Sequence, residues 1–284
     1  MGKLREMMKR DLAIKRFSKK TQECYLSRVR DISVYYNKSP DKLTRDEIKD
    51  YLHYLIEEKK YSSSYVNQCY SALKFFFEIT IRKNWMMDKI PRTKRFKKIP
   101  VVLDKIEIQH LFNVTFNLKH RTILVLIYSA GLRISEALNL KVHDIDQHRM
   151  KIFVRAGKGG RDRYAILAET SLVLLRQYWN IYRPKEWLFP GPSNDKPISA
   201  SSVQKVFKKS LHYAGIKKPA SVHTLRHSFA THLMEANCEL QIIQKLMGHK
   251  YLKTTALYTH VSDKHLSKIL SPVDSLFSNK KKRK

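Results

Sequence analysis

Four side chains in the last third of the chain, His223, Arg226, His249 and Tyr258, are of types that bind a phosphate or attack it. They lie in SVHTLRHSFATHLMEANCELQIIQKLMGHKYLKTTALYTH, residues 221–260, between stretches of apolar helix periodicity. Arginine and histidine donate to phosphate oxygens, and a phenolic oxygen can serve as nucleophile. Metal-free transesterification at a phosphodiester needs a nucleophile, neutralisation of the pentacoordinate transition state and a proton for the departing 5′ oxygen. Two planar guanidinium forks hold phosphodiester oxygens best, and Arg133 and Arg226 can supply them from separate helices. In His223-Thr224-Leu225-Arg226 an imidazole and a guanidinium stand about one turn apart at an expected helix N-terminus, where backbone N–H groups favour an anion. Lys158, in a glycine-rich turn, can reach a leaving oxygen as general acid, and Tyr258 is the candidate nucleophile. A phenol titrates near ~10, so it needs a base or a strong positive field at neutral pH.

Taken singly, each residue also has an ordinary role. Arg133 can be a surface or capping residue, His223 and His249 structural histidines, Lys158 a solvated turn, and Tyr258 one core tyrosine among fifteen. The string Gly157-Lys158-Gly159-Gly160 lacks the G-x-x-x-x-G-K-[ST] spacing of a phosphate-binding P-loop.

Composition narrows the partners. The 284 residues, 43% hydrophobic, are enough for two cores. The 56 Lys and Arg against 25 Asp and Glu give a formal charge of +31, which repels itself in the compact state and implies a polyanion, with strongly salt-dependent binding. Nucleic acid is the first expectation. The longest apolar run, TILVLIYSAGL, is too short to cross a bilayer and leads into Arg133, so no membrane is expected. Residues 1–20 are charged throughout and do not read as a signal peptide. Cys24, Cys69 and Cys238 form no C-x-x-C pair, and no His/Asp/Glu spacing suggests a metal site. A cytosolic protein working on DNA is expected.

Along the chain, residues 1–20 read as a basic arm with little periodicity, mobile or ordered by DNA. Tyr25, Val29, Ile32 and Tyr36 have helical spacing, ended by Pro40. Thr44-Arg45-Asp46-Glu47 is a capping box ahead of Ile48, Leu52 and Leu55. Ser62 to Ser64 can cap a third helix facing inward through Val66, Tyr70, Leu73 and Phe77 and extending towards Trp85. KIPRTKRFKKIP, bounded by prolines, reads as a linker able to cross a phosphate backbone, with Lys94, Arg95, Lys97 and Lys98 as candidate DNA contacts. Beyond it come a capped helix from Asp104, a buried helix broken at Gly131, a second starting near Ile134, and a hairpin of 151–154 and 163–167 with Lys158 near its tip. Arg161 in that turn is a further DNA-contact candidate. Helices resume at 170–182, at 201–214 with Ser201-x-x-Gln204 as a capping box, at 224–235 and at 240–247, with Gly248 as C-cap. The expected fold class is mainly α with a small antiparallel β-sheet. The tail NKKKRK reads as disordered.

Taken in order, GLRISEAL, GKGGRDR, HTLRHSFATHL and LMGHKYLKTTALYTHV resemble the catalytic domain of tyrosine recombinases of the phage integrase and Xer type. That family's Arg, Lys, His-x-x-Arg, His or Trp, and Tyr are matched by Arg133, Lys158, His223 with Arg226, His249 and Tyr258. Glu136 matches the acidic residue that supports the first arginine. The resemblance covers about residues 100–265, and residues 10–90 resemble the family's SAM-like core-binding domain in pattern and length. It implies a two-domain architecture: a helical core-binding domain over 1–90, a basic linker over 91–100, a mixed α/β catalytic domain with a C-terminal exchange helix over 101–271, and a basic tail over 272–284.

The resemblance further implies that Tyr258 attacks the scissile phosphate to give a 3′-phosphotyrosine and a free 5′-hydroxyl. Arg133 and Arg226 would clamp the non-bridging oxygens, Lys158 would protonate the leaving oxygen, His223 would transfer protons and His249 would hydrogen-bond the phosphate. No metal, ATP or other cofactor is implied. The implied partners are double-stranded DNA with inverted-repeat recombination sites and further copies of the chain, as a tetramer on synapsed DNA, in the cytoplasm with the nucleoid. The segment SDKHLSKILSPVDSL can form an amphipathic helix that docks either on a neighbouring protomer or on its own domain. A type IB topoisomerase, a non-catalytic DNA-binding protein of the same fold and a metal-dependent nuclease are the competing readings.

Overall fold

Side-chain caps fix where most helices begin. In the computed structural model, which describes residues 2–83, 87, 90–94, 100–155 and 162–248, the Thr44 hydroxyl accepts from the Glu47 N–H at 3.2 Å while the Glu47 carboxylate accepts from the Thr44 N–H at 2.6 Å. Asp104 and Glu107 repeat this box, with both bonds at 2.9 Å. Each box satisfies amides that a first helical turn leaves unpaired. The chain divides into two compact units, Met1–Lys97 and Lys98–Lys284.

The first unit is helical: α1 (Gly2–Ile14), α2 (Lys19–Tyr35), α3 (Arg45–Glu57) and α4 (Ser63–Phe75). Here the expectation of a basic arm at 1–20 is corrected, because most of that stretch is α1 and Met8 and Leu12 are buried. With Leu4 they recur every fourth residue, so one aliphatic stripe packs inward while the intervening Lys and Arg stay solvated. Val29 and Ile32 of α2, Ile48, Leu52 and Leu55 of α3, and Val66, Tyr70 and Leu73 of α4 form the core. Ser62 caps α4 as expected. Past Phe75 the backbone widens into a π-helical turn, Phe76–Thr80, which buries both Phe76 and Phe77, and the expected helix end at Trp85 lies outside the described residues. Residues 90–94 are fastened to α4: the Asn67 amide donates to the Thr93 carbonyl at 2.8 Å and the Arg92 guanidinium sits 4.9 Å from the Tyr70 ring centre.

The second unit holds α5 (Lys105–Asn113), α6 (Leu118–Ser129), α7 (Ile134–Leu138), α8 (Glu169–Tyr182), α9 (Ala200–Tyr213), α10 (Val222–Glu235) and α11 (Leu240–Met247). Its sheet has the order β1 (Ile145–Asp146), β2 (Lys151–Val154) and β3 (Arg163–Ile166), antiparallel throughout. The expected hairpin is β2–β3, in register from Lys151 opposite Ile166 to Val154 opposite Arg163, and β1 adds an edge the sequence pattern did not suggest. Ile152, Val154 and Ala165 turn inward into the same core as Ile123, Leu124, Leu126 and Ile127 of the apolar α6. Two helix starts are corrected: α10 begins at Val222 rather than 224, and α9 begins at Ala200, capped by the Ser199 hydroxyl on the Ser202 N–H at 3.1 Å, not by Ser201. Serines at both positions have a cap's spacing, and the start at Ala200 brings Val203, Phe207 and Leu211 onto the core. Among the described residues no helix is long and apolar enough to cross a membrane.

Gly131 makes the turn between α6 and α7. Its φ is +60°, and a Cβ there would lie 2.5 Å and 2.6 Å from two Phe229 ring carbons and 3.1 Å from the Met247 sulfur. Left-handed strain of roughly 1–2 kcal/mol adds to overpacking of roughly 1–3 kcal/mol. Gly131→Ala is therefore expected to lower the urea midpoint of unfolding with an unchanged slope; an unchanged midpoint would show that the ring moves aside at no cost.

Candidate active site

The break at Gly131 places Arg133 at the N-cap of α7, and Glu136 lies one turn on. Glu136 is 5% exposed at its side chain and is the hub of the site. Its Oε2 accepts from the Arg133 backbone N–H at 2.8 Å and its Oε1 from Arg133 Nη1 at 2.5 Å. Arg163, the first residue of β3, adds a bidentate fork, Nη1 to Oε1 at 2.9 Å and Nη2 to Oε2 at 2.8 Å. Arg226 approaches from α10, with Nη1 3.6 Å from Oε2. Burial pushes the Glu136 carboxyl up, but the hydrogen bonds from Arg163 and Arg133 and their charge outweigh it and hold the group down at about 2. Three guanidinium groups on one carboxylate leave a surplus of two positive charges, an arrangement suited to a phosphodiester anion.

Arg226 is 1% exposed. Its Nη1 donates to the Gly131 carbonyl at 2.5 Å and its Nη2 to the Met247 carbonyl. The α6–α7 turn and the end of α11 thus fix this guanidinium, whose α10 backbone is packed through Leu225, Phe229 and Ala230. His223, in the first turn of α10 and exposed, forms an edge-to-face pair with His227, the ring centres 4.7 Å apart and the planes at 84°. Burial lowers the His227 imidazole to about 4, helped by the charges of His223 and Arg226, so it is neutral at pH 7 and can support His223 without adding charge. Another helix-α10 histidine, His232, hydrogen-bonds the Tyr128 hydroxyl at 2.9 Å in the smaller cluster of Phe229, Met234, Ile243 and Met247.

Of the residues singled out from sequence, the structure brings Arg133, Glu136 and Arg226 together and sets His223 three residues before Arg226 on one helix. Lys158, Arg161, His249 and Tyr258 lie outside the described residues, as do Arg95, Lys97 and Lys98, while Lys94 is described and exposed. The strands that flank Lys158 are β2 and β3, and Gly248, in the left-handed conformation with φ +61°, caps α11 directly before His249. Sequence reasoning missed Arg163 and His227. A single arginine opening a strand carries no local signal, whereas His227, four residues after His223, had the i, i+4 spacing of a helical pair. Among the described residues no group of three or more His, Cys, Asp or Glu is placed to hold a metal ion.

Comparison with known proteins gives the family. The phage integrase family profile matches residues 101–265, and the phage integrase N-terminal SAM-like domain profile matches residues 4–87. A Sinorhizobium fredii protein named as an integrase/recombinase is 40% identical over 277 residues, covering 97% of this chain and 90% of that protein. A tyrosine recombinase of Thermosipho africanus is 32% identical over 275 residues, covering 93% of this chain and 96% of its own. The crystal structure of XerA recombinase is 27% identical with a TM-score of 0.55, covering 94% of this chain and 96% of that one. A lambda integrase dimer bound to a core site shares the fold, with a TM-score of 0.74 at 20% identity over 89% of this chain and 96% of that one. By these likenesses, which run through both units, the chain belongs to the phage integrase family and is a tyrosine recombinase, an enzyme of site-specific DNA recombination.

Proposed function

We propose that the chain cleaves and rejoins double-stranded DNA through a covalent 3′-phosphotyrosine at Tyr258. The Tyr258 oxygen attacks the scissile phosphorus, the bond to the 5′ oxygen breaks, and Lys158 gives that oxygen its proton. The free 5′-hydroxyl then attacks the phosphotyrosine of a partner duplex, which releases Tyr258 and conserves the number of phosphodiester bonds. Arg133 and Arg226 clamp the non-bridging oxygens, His223 moves protons and His249 hydrogen-bonds the phosphate. The observation that carries this reading is the convergence of Arg133 and Arg226 on the buried Glu136 carboxylate. Charge held in advance where the transition state becomes most negative needs no reorganisation during the reaction. A supercoil-relaxing topoisomerase is not favoured, because relatives that match 93% and 77% of the chain are named tyrosine recombinases.

In this reading residues 1–90 bind DNA beside the core site, 91–100 link the units across the backbone through Lys94, Arg95, Lys97 and Lys98, Arg161 adds a phosphate contact, 101–271 carry the chemistry and 272–284 form a basic tail. The natural substrate is a pair of inverted-repeat sites held by four copies of the chain in the cytoplasm, at the nucleoid. The segment after Tyr258 docks on a neighbouring copy, so that assembly positions the nucleophile. Deletion after Ser262 is then expected to preserve DNA binding and remove recombination; unchanged recombination would sink the exchange.

The test of the function is incubation with nicked duplexes drawn from a genomic library, in EDTA and without ATP, followed by isolation and sequencing of covalent adducts. Adducts confined to a small set of sequences are expected. No adduct, or adducts that vanish with EDTA, would overturn the reading.

A further inference from the structure

Arg163 is the one member of the Glu136 cluster to which the reaction just described gives no task. It opens β3 opposite Val154, and the strands of these two residues flank Lys158 in sequence. Its fork spans both Glu136 oxygens, and its Nε donates to the Leu246 carbonyl at 3.3 Å in the last turn of α11. Gly248 passes so close that a Cβ there would lie 2.7 Å from Arg163 Cδ and 2.9 Å from Nε. One side chain, 12% exposed, therefore touches α7, its own hairpin and the end of α11. Each of these leads within a few residues to a proposed site residue: Arg133, Lys158 and His249.

Charge balance does not explain it. Among the described residues Arg133 and Arg226 already face the single Glu136 carboxylate, so a third buried guanidinium adds desolvation cost in excess of the charge it neutralises. Geometry does. Two parallel N–H···O bonds fix the plane of a carboxylate, as an ammonium cannot. With that plane fixed, the remaining acceptor positions dictate where Arg133 Nη1 and the Arg133 amide lie.

We propose that Arg163 is a positioning residue of the recombinase site: it sets the plane of the Glu136 carboxylate, and through it the Arg133 clamp, and it holds the end of α11, whose Met247 carbonyl accepts from Arg226 and which leads to His249. The inference rests on the assignment of Arg133, Arg226 and His249 to the scissile phosphate. Arg163 itself makes no contact with DNA in this role.

The experiment compares the full-length chain with Arg163→Lys, Arg163→Met, Glu136→Gln and the Glu136→Gln/Arg163→Met double variant. The DNA is a nicked duplex on which the unsubstituted chain forms its covalent adduct. The adduct rate is measured at saturating protein, DNA affinity is measured separately, and thermal unfolding shows the temperature at which each variant is folded. Arg163→Met is expected to slow adduct formation about 100-fold, the scale of loss for a misplaced reacting group, with DNA affinity changed less than about threefold. Arg163→Lys keeps the charge and is expected to fall in between. Among the described residues, Arg133, Arg163 and Arg226 are the charged groups facing Glu136. In the double variant the loss is expected to fall well short of the product of the two single losses, because Arg163 acts through Glu136.

An Arg163→Lys variant as fast as the unsubstituted chain would overturn the proposal, even if Arg163→Met does not fold. So would losses that track the fraction of folded protein, or fully additive effects in the double variant. Absence of any adduct from the unsubstituted chain is the distinct result that rejects the site assignment, and this role with it.

Discussion

Glu136→Ala is expected to destabilise the second unit by about 3–5 kcal/mol, the scale for removing one partner of a buried ion pair. For a unit of this size that corresponds to a fall of roughly 6–20 °C in the thermal midpoint. The cost is high because one carboxylate separates three guanidinium groups, and alanine leaves them to repel one another in a site nearly closed to water. The sign of the pH dependence follows from the same contacts. The carboxyl titrates at about 2 in the folded chain, against about 4.3 when unfolded, so its contribution is complete above the unfolded value and is lost as pH falls towards 2. Urea unfolding should show the full difference between the two proteins at pH 7 and a shrinking one below pH ~4.3. Equal stability at pH 7 would mean that Glu136 is not the hub of the cluster.

Tyr258→Phe is expected to have the largest effect on activity. It removes one oxygen and leaves the ring, so duplex affinity should be unchanged while covalent adducts fall by at least about 10³-fold, in the range seen when a nucleophile is deleted. Glu136→Ala should also slow cleavage, but with loss of stability, so the pair separates the group that reacts from the group that arranges its surroundings. Adducts at undiminished rate in Tyr258→Phe would transfer the nucleophile to another residue.

Much of the fold was legible because it is written locally. The capping boxes at Thr44 and Asp104, the glycine break at 131, the β2–β3 hairpin and the Gly248 cap each depend on residues within a few positions of one another. Helix α1 was obscured by its charge: its aliphatic stripe of Leu4, Met8 and Leu12 is one residue wide, and the Lys and Arg between them dominated the composition. The start of α9 was obscured by two serines with equivalent capping spacing, and tertiary contacts of Val203 and Phe207 decided between them. In the site, residue types and order pointed to Arg133, Glu136, His223 and Arg226. Arg163 could not be read in the same way, because its meaning lies in contacts with residues 27 positions before it and 83 after it. Nor does any pattern in the sequence reveal that Arg226 is buried and bonded to two backbone carbonyls, since a phosphate-binding arginine is ordinarily expected at a surface.

The most direct measurement is the site of attachment. The unsubstituted chain is trapped on a nicked duplex in EDTA, digested with nuclease and protease, and the nucleotide-bearing peptide is sequenced by mass spectrometry. The expected result is one modified peptide, with the 3′-phosphate esterified to the oxygen of Tyr258. A nucleotide on any other residue, or cleaved DNA with no protein attached, would contradict it.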